Sequence, residues 1–271
     1  MGAATRESTA AAVQALDRVL HPGLLGRLRG EPTSLGEELL AAARIVGGSR
    51  QLTTLLADPT VDAGGRGGVV RRLFGSAFDK RTVQLIEDMS TSRWSEPTDL
   101  VDALEEVGMR ALATTADEAP IDAELFRFRE TLSREPELEL ALGSQASPLA
   151  ARTALVDRLL VNADPATRAI ARHLVELPRG RRPMEAFDRA ERIVADARGR
   201  TLATAHVAKP LTDEQLRALE ERLADGYGRK IHVNQVLDPS VLGGVRISIG
   251  DDVIDGTVRS RLDDLRLRLV G

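Results

Sequence analysis

The chain contains no cysteine. That excludes disulfides, thiolate metal sites, iron–sulfur clusters and thiol nucleophiles, and it fits a reducing compartment. Aromatic residues make up only 3%, with one tryptophan (Trp94) and one tyrosine (Tyr227). A stacking platform for single-stranded nucleic acid or a sugar-binding cleft needs more rings than that. Lysine occurs only as Lys80, Lys209 and Lys230, the remaining basic residues being arginine. None of the three follows a glycine, so the Gly-Lys-Ser/Thr end of a Walker loop is missing. No uninterrupted apolar run approaches the roughly 18 residues that cross a bilayer, and the start of the chain has no secretory h-region. Arg6 stands where a myristoylation signal beginning Met1-Gly2 wants Ser or Thr. The expectation is a soluble chain.

What is present is ordinary for a globular protein: 42% hydrophobic and 29% charged residues over 271 positions. That length suits two or three compact units. A net charge of −4 argues against whole-chain electrostatic binding to nucleic acid.

The first two hundred residues carry helical periodicity. Val13, Leu16 and Leu20 share a face over about 8–20, and Leu35, Leu39 and Ala42 share one over about 35–46. A short helix around Leu52 to Leu56 stops at Asp58-Pro59. The run Gly64-Gly65-Arg66-Gly67-Gly68 reads as a flexible inter-helix loop rather than a phosphate cradle, because the matching segment further on lacks glycine. Val83, Ile86 and Met89 line a helix over 79–91, and Leu100, Leu104 and Val107 line one that starts near Pro97.

Shifting the sequence by 86 residues brings 38–115 onto 124–201. Glu38 then faces Glu124, Leu56 faces Leu142, Arg66 faces Arg152, Val70 faces Val156, and Pro97 faces Pro183. The matched positions are largely apolar helix faces, as expected if one packing solution is used twice. The helix over 8–20 has no counterpart in the second copy.

After about residue 200 the period changes from 3.6 to 2. Ala203, Ala205 and Val207 alternate, as do Ile231, Val233 and Gln235, and then Val245, Ile247 and Ile249. Between them Thr212 and Gln215 have capping-box spacing, and Leu216, Leu219 and Leu223 follow as a stripe. Val258, Leu262, Leu265 and Leu269 predict a final helix. The fold class expected is mainly α: a six-helix N-terminal bundle over 1–118, a duplicated helical bundle over 119–200, and a small α+β module with a short sheet over 201–271.

Reactive constellations are missing. His21, His173, His206 and His232 have no ligand-like spacing, and no nucleophile-elbow pattern occurs. Asp251, Asp252 and Asp255 suit turns better than acid/base catalysis. Arg179, Arg181 and Arg182, between Pro178 and Pro183, read as a solvated loop, with an acidic partner or lipid headgroups as the sharper alternatives.

The most specific stretch opens on the strand at Ile231 and continues through Asp238-Pro239, Gly243-Gly244, a second strand, and Asp255-Gly256-Thr257-Val258. It ends on Arg259, Arg261 and Leu262. Each piece has a local reading: Asp-Pro starts a turn, paired glycines permit unusual dihedrals or close approach, and Asp-Gly-Thr caps a helix. Together they resemble the signature of the delta subunit of F-type ATP synthases, the OSCP family, in its long actinobacterial form.

The resemblance implies a non-catalytic stator in the peripheral stalk, without cofactor or metal. It would tie the alpha/beta catalytic head to the membrane-anchored b subunits at the cytoplasmic face of the membrane. The family's first and fifth helices hold the N-terminal segments of alpha subunits, which points to Val13, Leu16, Val83, Ile86 and Met89. The C-terminal module engages b subunits, which points to Leu262, Leu265 and Leu269. Ala12-Val13-Gln14-Ala15 stands where many members have Tyr-Ala-x-Ala, a departure on the first helix. Two other classes compete. A helical RNA-binding or transcription adaptor requires a basic face, and a carboxylate hydrolase requires a constellation that is not there.

Overall fold

The computed structural model of the chain describes residues 2–20, 32–116, 119–250 and 252–260. Twelve helices, the start of a further one at 258–260, and four strands lie among the described residues, which form two compact units, Met1–Val194 and Ala195–Gly271. Both helical segments expected from the sequence fall almost wholly within the first unit.

The first unit opens with α1 (Ala3–Leu20), α2 (Pro32–Gly47), α3 (Arg50–Ala57), α4 (Ala63–Phe74), α5 (Lys80–Thr91) and α6 (Pro97–Thr115). Their apolar stripes meet in one core containing Leu39, Val46, Leu56, Val70, Phe74, Ile86 and Leu104. The glycine-rich run is not a loop. Gly64 to Gly68 form the first turns of α4, where the Asp62 side chain caps the helix by accepting from the Gly65 N–H at 3.0 Å. A cap and the register of Arg66 and Val70 override the weak helix propensity of glycine.

The unit continues with α7 (Ile121–Arg134), α8 (Pro136–Gly143), α9 (Leu149–Leu159), α10 (Pro165–Glu176) and α11 (Pro183–Ala197). The 86-residue offset separates the starts of α3 and α8, of α4 and α9, and of α6 and α11. Polar contacts repeat with it, their partners on α5 and α10 falling at an offset of 85. Glu38 accepts from the Asp79 N–H (3.1 Å) and the Thr82 hydroxyl. Glu124 accepts from the Asp164 N–H (3.0 Å) and the Thr167 hydroxyl (2.5 Å). Buried Arg66 donates to the Ser90 carbonyl, and buried Arg152 to the Val175 carbonyl at 3.2 Å. Compositional bias toward Ala, Arg and Leu cannot produce matched hydrogen bonds of this kind, so the repeat is a repeat of structure.

The structure also answers the absence of a second copy of the first helix. In the first bundle α1 precedes α2 and packs on α5 and α6. In the second, α6 precedes α7 and faces α10 and α11 through His173 and Arg189. One helix thus closes the first bundle and opens the second.

The second unit is a four-stranded mixed sheet, β1 (Arg200–Val207), β2 (Lys230–Leu237), β3 (Val245–Ile249) and β4 (Asp252–Asp255), in the order β2-β1-β3-β4. β1 and β2 are parallel and joined through α12 (Asp213–Tyr227); the other pairs are antiparallel. The alternating residues Ala203, Ala205, Val207, Ile231, Val233, Ile247 and Ile249 form the core, with Leu216, Leu219 and Leu223 of α12 packed against it. The capping box of Thr212 and Gln215 forms as its spacing predicts, and Gly228 ends the helix in the left-handed conformation (φ 67°).

Candidate functional site

In the second unit the signature residues converge on Arg246 of β3. Asp238 ends β2 and folds into a turn, accepting from the N–H (2.9 Å) and hydroxyl (2.6 Å) of Ser240. Its other oxygen meets the Arg246 guanidinium at 3.2 Å. Asp255 pairs with Arg246 across the β3–β4 ladder and accepts from the Thr257 N–H at 2.9 Å. The Ser240 and Thr257 hydrogen bonds hold the Asp238 and Asp255 carboxyls below their ordinary range, with Arg246 adding to both. Thr257 is buried and its hydroxyl accepts from the Ser260 N–H at 3.2 Å, the capping role expected of it.

Gly244 has φ 81°, and a Cβ there would lie 2.4 Å from the Gly256 carbonyl oxygen. Backbone bonds from Gly256 to Val245 (2.9 Å) and from Val258 to Gly243 (3.0 Å) close the loop. The signature therefore builds a rigid corner. Arg259 and Val258 are exposed beside it, as are Val253 and Ile254 on the edge strand β4. Arg261, Leu262, Leu265 and Leu269 lie outside the described residues.

The residues expected on the alpha-subunit face are placed differently. Leu16, Val83, Ile86 and Met89 all belong to the core of the first bundle, and Val13 is half-buried against it. Hydrophobic spacing marks an inward face and an interface alike, and here the bundle itself uses it. Arg6, Glu7, Gln14 and Asp17 of α1 and Gln84 and Asp88 of α5 are among the exposed residues. α1 is held to the α5–α6 loop and the first turn of α6 by polar contacts: Ser8 donates to the Arg93 carbonyl at 2.6 Å and Thr5 to Asp99 at 2.5 Å.

Sequence reasoning missed the joint between the bundles. Glu105 of α6 is fully buried and meets His173 of α10 at 3.2 Å and Arg181 at 3.0 Å, with Arg179 at 3.5 Å and Arg189 at 3.6 Å. Asp102 accepts from Arg179 at 2.7 Å and also from Arg181. The loop read as solvated therefore has its acidic partner in the same chain, about eighty positions away in sequence. Arg179 adopts φ +51°, rare for a residue with a side chain, and donates to the Thr98 carbonyl at 2.9 Å. Burial pushes the Glu105 carboxyl up, but His173, Arg181 and Arg179 outweigh it and hold it below the usual range. At the repeat-equivalent position Glu191 is also buried and has Arg129 at 3.0 Å. There burial dominates, and the carboxyl is raised to about 7.

No helix among the described residues is long and apolar enough to cross a membrane. The family model for the ATP synthase delta (OSCP) subunit matches residues 109–269, from within α6 into the C-terminal residues. A protein from Leifsonia xyli named ATP synthase subunit delta is 44% identical, with 100% of each chain covered. Its namesake from Streptomyces avermitilis is 37% identical over 98% of this chain and 97% of its own. The namesake from Acidothermus cellulolyticus is 36% identical over 99% of each. A chain in the cryo-EM structure of the Toxoplasma gondii mitochondrial ATP synthase hexamer is similar over 60% of this chain and 95% of its own. Its TM-score of 0.33 and 22% identity are too low to bear on the fold. On the family match and the full-length relatives, the chain belongs to the ATP synthase delta (OSCP) subunit family.

Proposed function

We propose that this chain is the delta subunit of an F-type ATP synthase, a non-catalytic part of the peripheral stalk. It links the alpha/beta head to the b subunits at the cytoplasmic face of the membrane. It resists rotor torque, so that ion-driven rotation is coupled to ATP synthesis. The observation that carries this is alignment from end to end with a protein named ATP synthase subunit delta at 44% identity. The relatives give the RNA-adaptor alternative no support.

The head-binding surface we assign to α1 and α5, through outward residues such as Gln14, Gln84 and Asp88. The repeat supports the choice. Asp88 of α5 is exposed, whereas its counterpart on α10, His173, is covered by the first bundle. Of the two equivalent faces, the one on the first bundle is open. The b-subunit surface we assign to the signature-bearing unit. The second bundle, joined to the first through α6, makes the pair a longer brace in the stalk.

A tagged chain should bring down alpha, beta and b subunits from detergent-solubilised membranes of its own cells. Recovery of RNA without those subunits would sink the proposal. Charge reversal at Asp88 should release alpha while keeping b.

A further inference from the structure

Beside the joint lies a groove of about 620 Å³, formed by Pro136, Glu139, Leu140 and Gly143 of α8, the loop residues Pro178, Gly180, Arg181 and Arg182, and Pro183. Its wall is apolar and open: Leu140 is 72% exposed. The internal repeat supplies the comparison from which an occupant is argued. In the first bundle the corresponding helix is α3, and the loop into the last helix reads Arg93-Trp94-Ser95-Glu96. Trp94 is 9% exposed within the core, and its indole donates to the Met89 carbonyl at 2.9 Å. In the second bundle the loop reads Pro178-Arg179-Gly180-Arg181-Arg182, so no aromatic ring is supplied.

Two further differences agree. α3 buries Thr53, Leu56 and Ala57, whereas α8 buries Leu142 alone. Arg182 is exposed at the rim where the first loop carries Glu96. A ring is missing and the rim charge has changed sign.

We propose that this groove is a docking site for a partner segment that presents an aromatic side chain with a carboxylate beside it. The ring takes the place Trp94 fills in the first bundle, and the carboxylate meets Arg182. Large rings in pockets are efficient anchors, and a rim charge selects among them. The site is independent of the surfaces assigned to alpha and b.

The test uses the full chain and a helix-forming peptide carrying one 5-fluorotryptophan flanked by glutamates, followed by fluorine NMR. Saturable binding below ~1 mM is expected. Leu140→Glu and Arg182→Glu should each weaken it at least tenfold without changing the melting temperature, since both side chains are exposed. A peptide with lysine in place of glutamate should also bind at least tenfold more weakly. Absence of saturable binding, or equal binding to wild type and both variants, overturns the proposal. So does a concentration-dependent dimer lost in Leu140→Glu, which would make a second copy the occupant. A chain ending at residue 260 that binds the peptide much more tightly would instead name the chain's own C-terminal segment.

Discussion

The His173 ring nitrogen Nε2 lies 3.2 Å from a Glu105 carboxylate oxygen, and both side chains are fully buried. On the other side of the ring Nδ1 lies 3.3 Å from the Arg44 guanidinium. A guanidinium can only donate, so Nδ1 accepts and Nε2 carries the hydrogen offered to Glu105. The imidazole of α10 thus bridges α2 and α6, fixed between one cation and one anion. Arg44 also pairs with Glu176 at 3.0 Å, so α10 is gripped twice by the first bundle.

Removing the anion from this joint strands its partners. In Glu105→Gln the amide keeps an acceptor for His173 but turns donors toward Arg181 and Arg179. Breaking a buried charge pair costs about 3 kcal/mol or more. Chemical denaturation of the full chain should show that loss. Hydrogen exchange should quicken in α10 and the start of α11 while α3 and α4 keep their protection. Uniform protection across the joint in the variant would mean that Glu105 does not hold the bundles together.

The two repeat-equivalent glutamates should respond to pH in opposite senses. Glu105 is held low in the folded chain, so its stabilisation is present above the unfolded pKa near ~4.3 and is lost as pH falls through the folded value. Glu191 is raised to about 7. Between roughly pH 4.3 and 7 the folded chain keeps a proton that the unfolded chain has released, so stability falls as pH rises through that window. Glu191→Gln should remove this downward slope and stabilise the chain at pH 8. Glu105→Gln should instead lose stability most above pH 5. Denaturation midpoints measured from pH 4 to 8 separate the two, and parallel profiles would contradict both assignments.

Much of this molecule was legible in the sequence because short-range physics decides it. Stripes such as Leu100, Leu104 and Val107 announced an inward face, the alternation of Ala203, Ala205 and Val207 a half-buried strand, and Thr212 with Gln215 a helix start. What those patterns cannot carry is a partner far along the chain. His173 and Arg181 gave no local signal because Glu105 is about seventy to eighty positions away. The glycine run was misread because its composition suggests a loop, although its repeat partner, Ala150 to Ala154, is plainly helical. The shared use of α6 was invisible to an ungapped comparison, since that helix matches α11 and cannot also be aligned with α1.

The paired glutamate latches offer a test of the repeat that does not depend on function. Glu38 and Glu124 each accept a backbone N–H at an aspartate cap and a threonine hydroxyl. Alanine at either position leaves those donors without an acceptor, at about 1–3 kcal/mol per unsatisfied buried group. Losses of similar size are expected from Glu38→Ala and Glu124→Ala in urea titrations. Threonine to valine at 82 or 167 should cost less, because the glutamate that loses the hydroxyl donor keeps the backbone N–H of Asp79 or Asp164. A negligible effect at one latch and a large one at the other would mean that the two copies no longer share a stabilising device.

The corner of the second unit should be intolerant of a single methyl group. Gly244 sits at φ 81°, and alanine there would add both left-handed strain and a contact 2.4 Å from the Gly256 carbonyl oxygen. Strain of that class costs on the order of 1–3 kcal/mol before the clash is counted. The carbonyl is fixed backbone in the loop that also carries Asp255 and Thr257, so relief requires moving the cap built by Thr257 and Ser260. Arg246→Ala should weaken the same corner more mildly, because Asp238 and Asp255 keep their hydrogen bonds to Ser240 and Thr257. In a tagged-chain pull-down, Gly244→Ala should reduce recovery of b while alpha recovery through the first bundle stays intact. Equal loss of both would place the signature corner in the stability of the whole chain rather than in one end of the stalk.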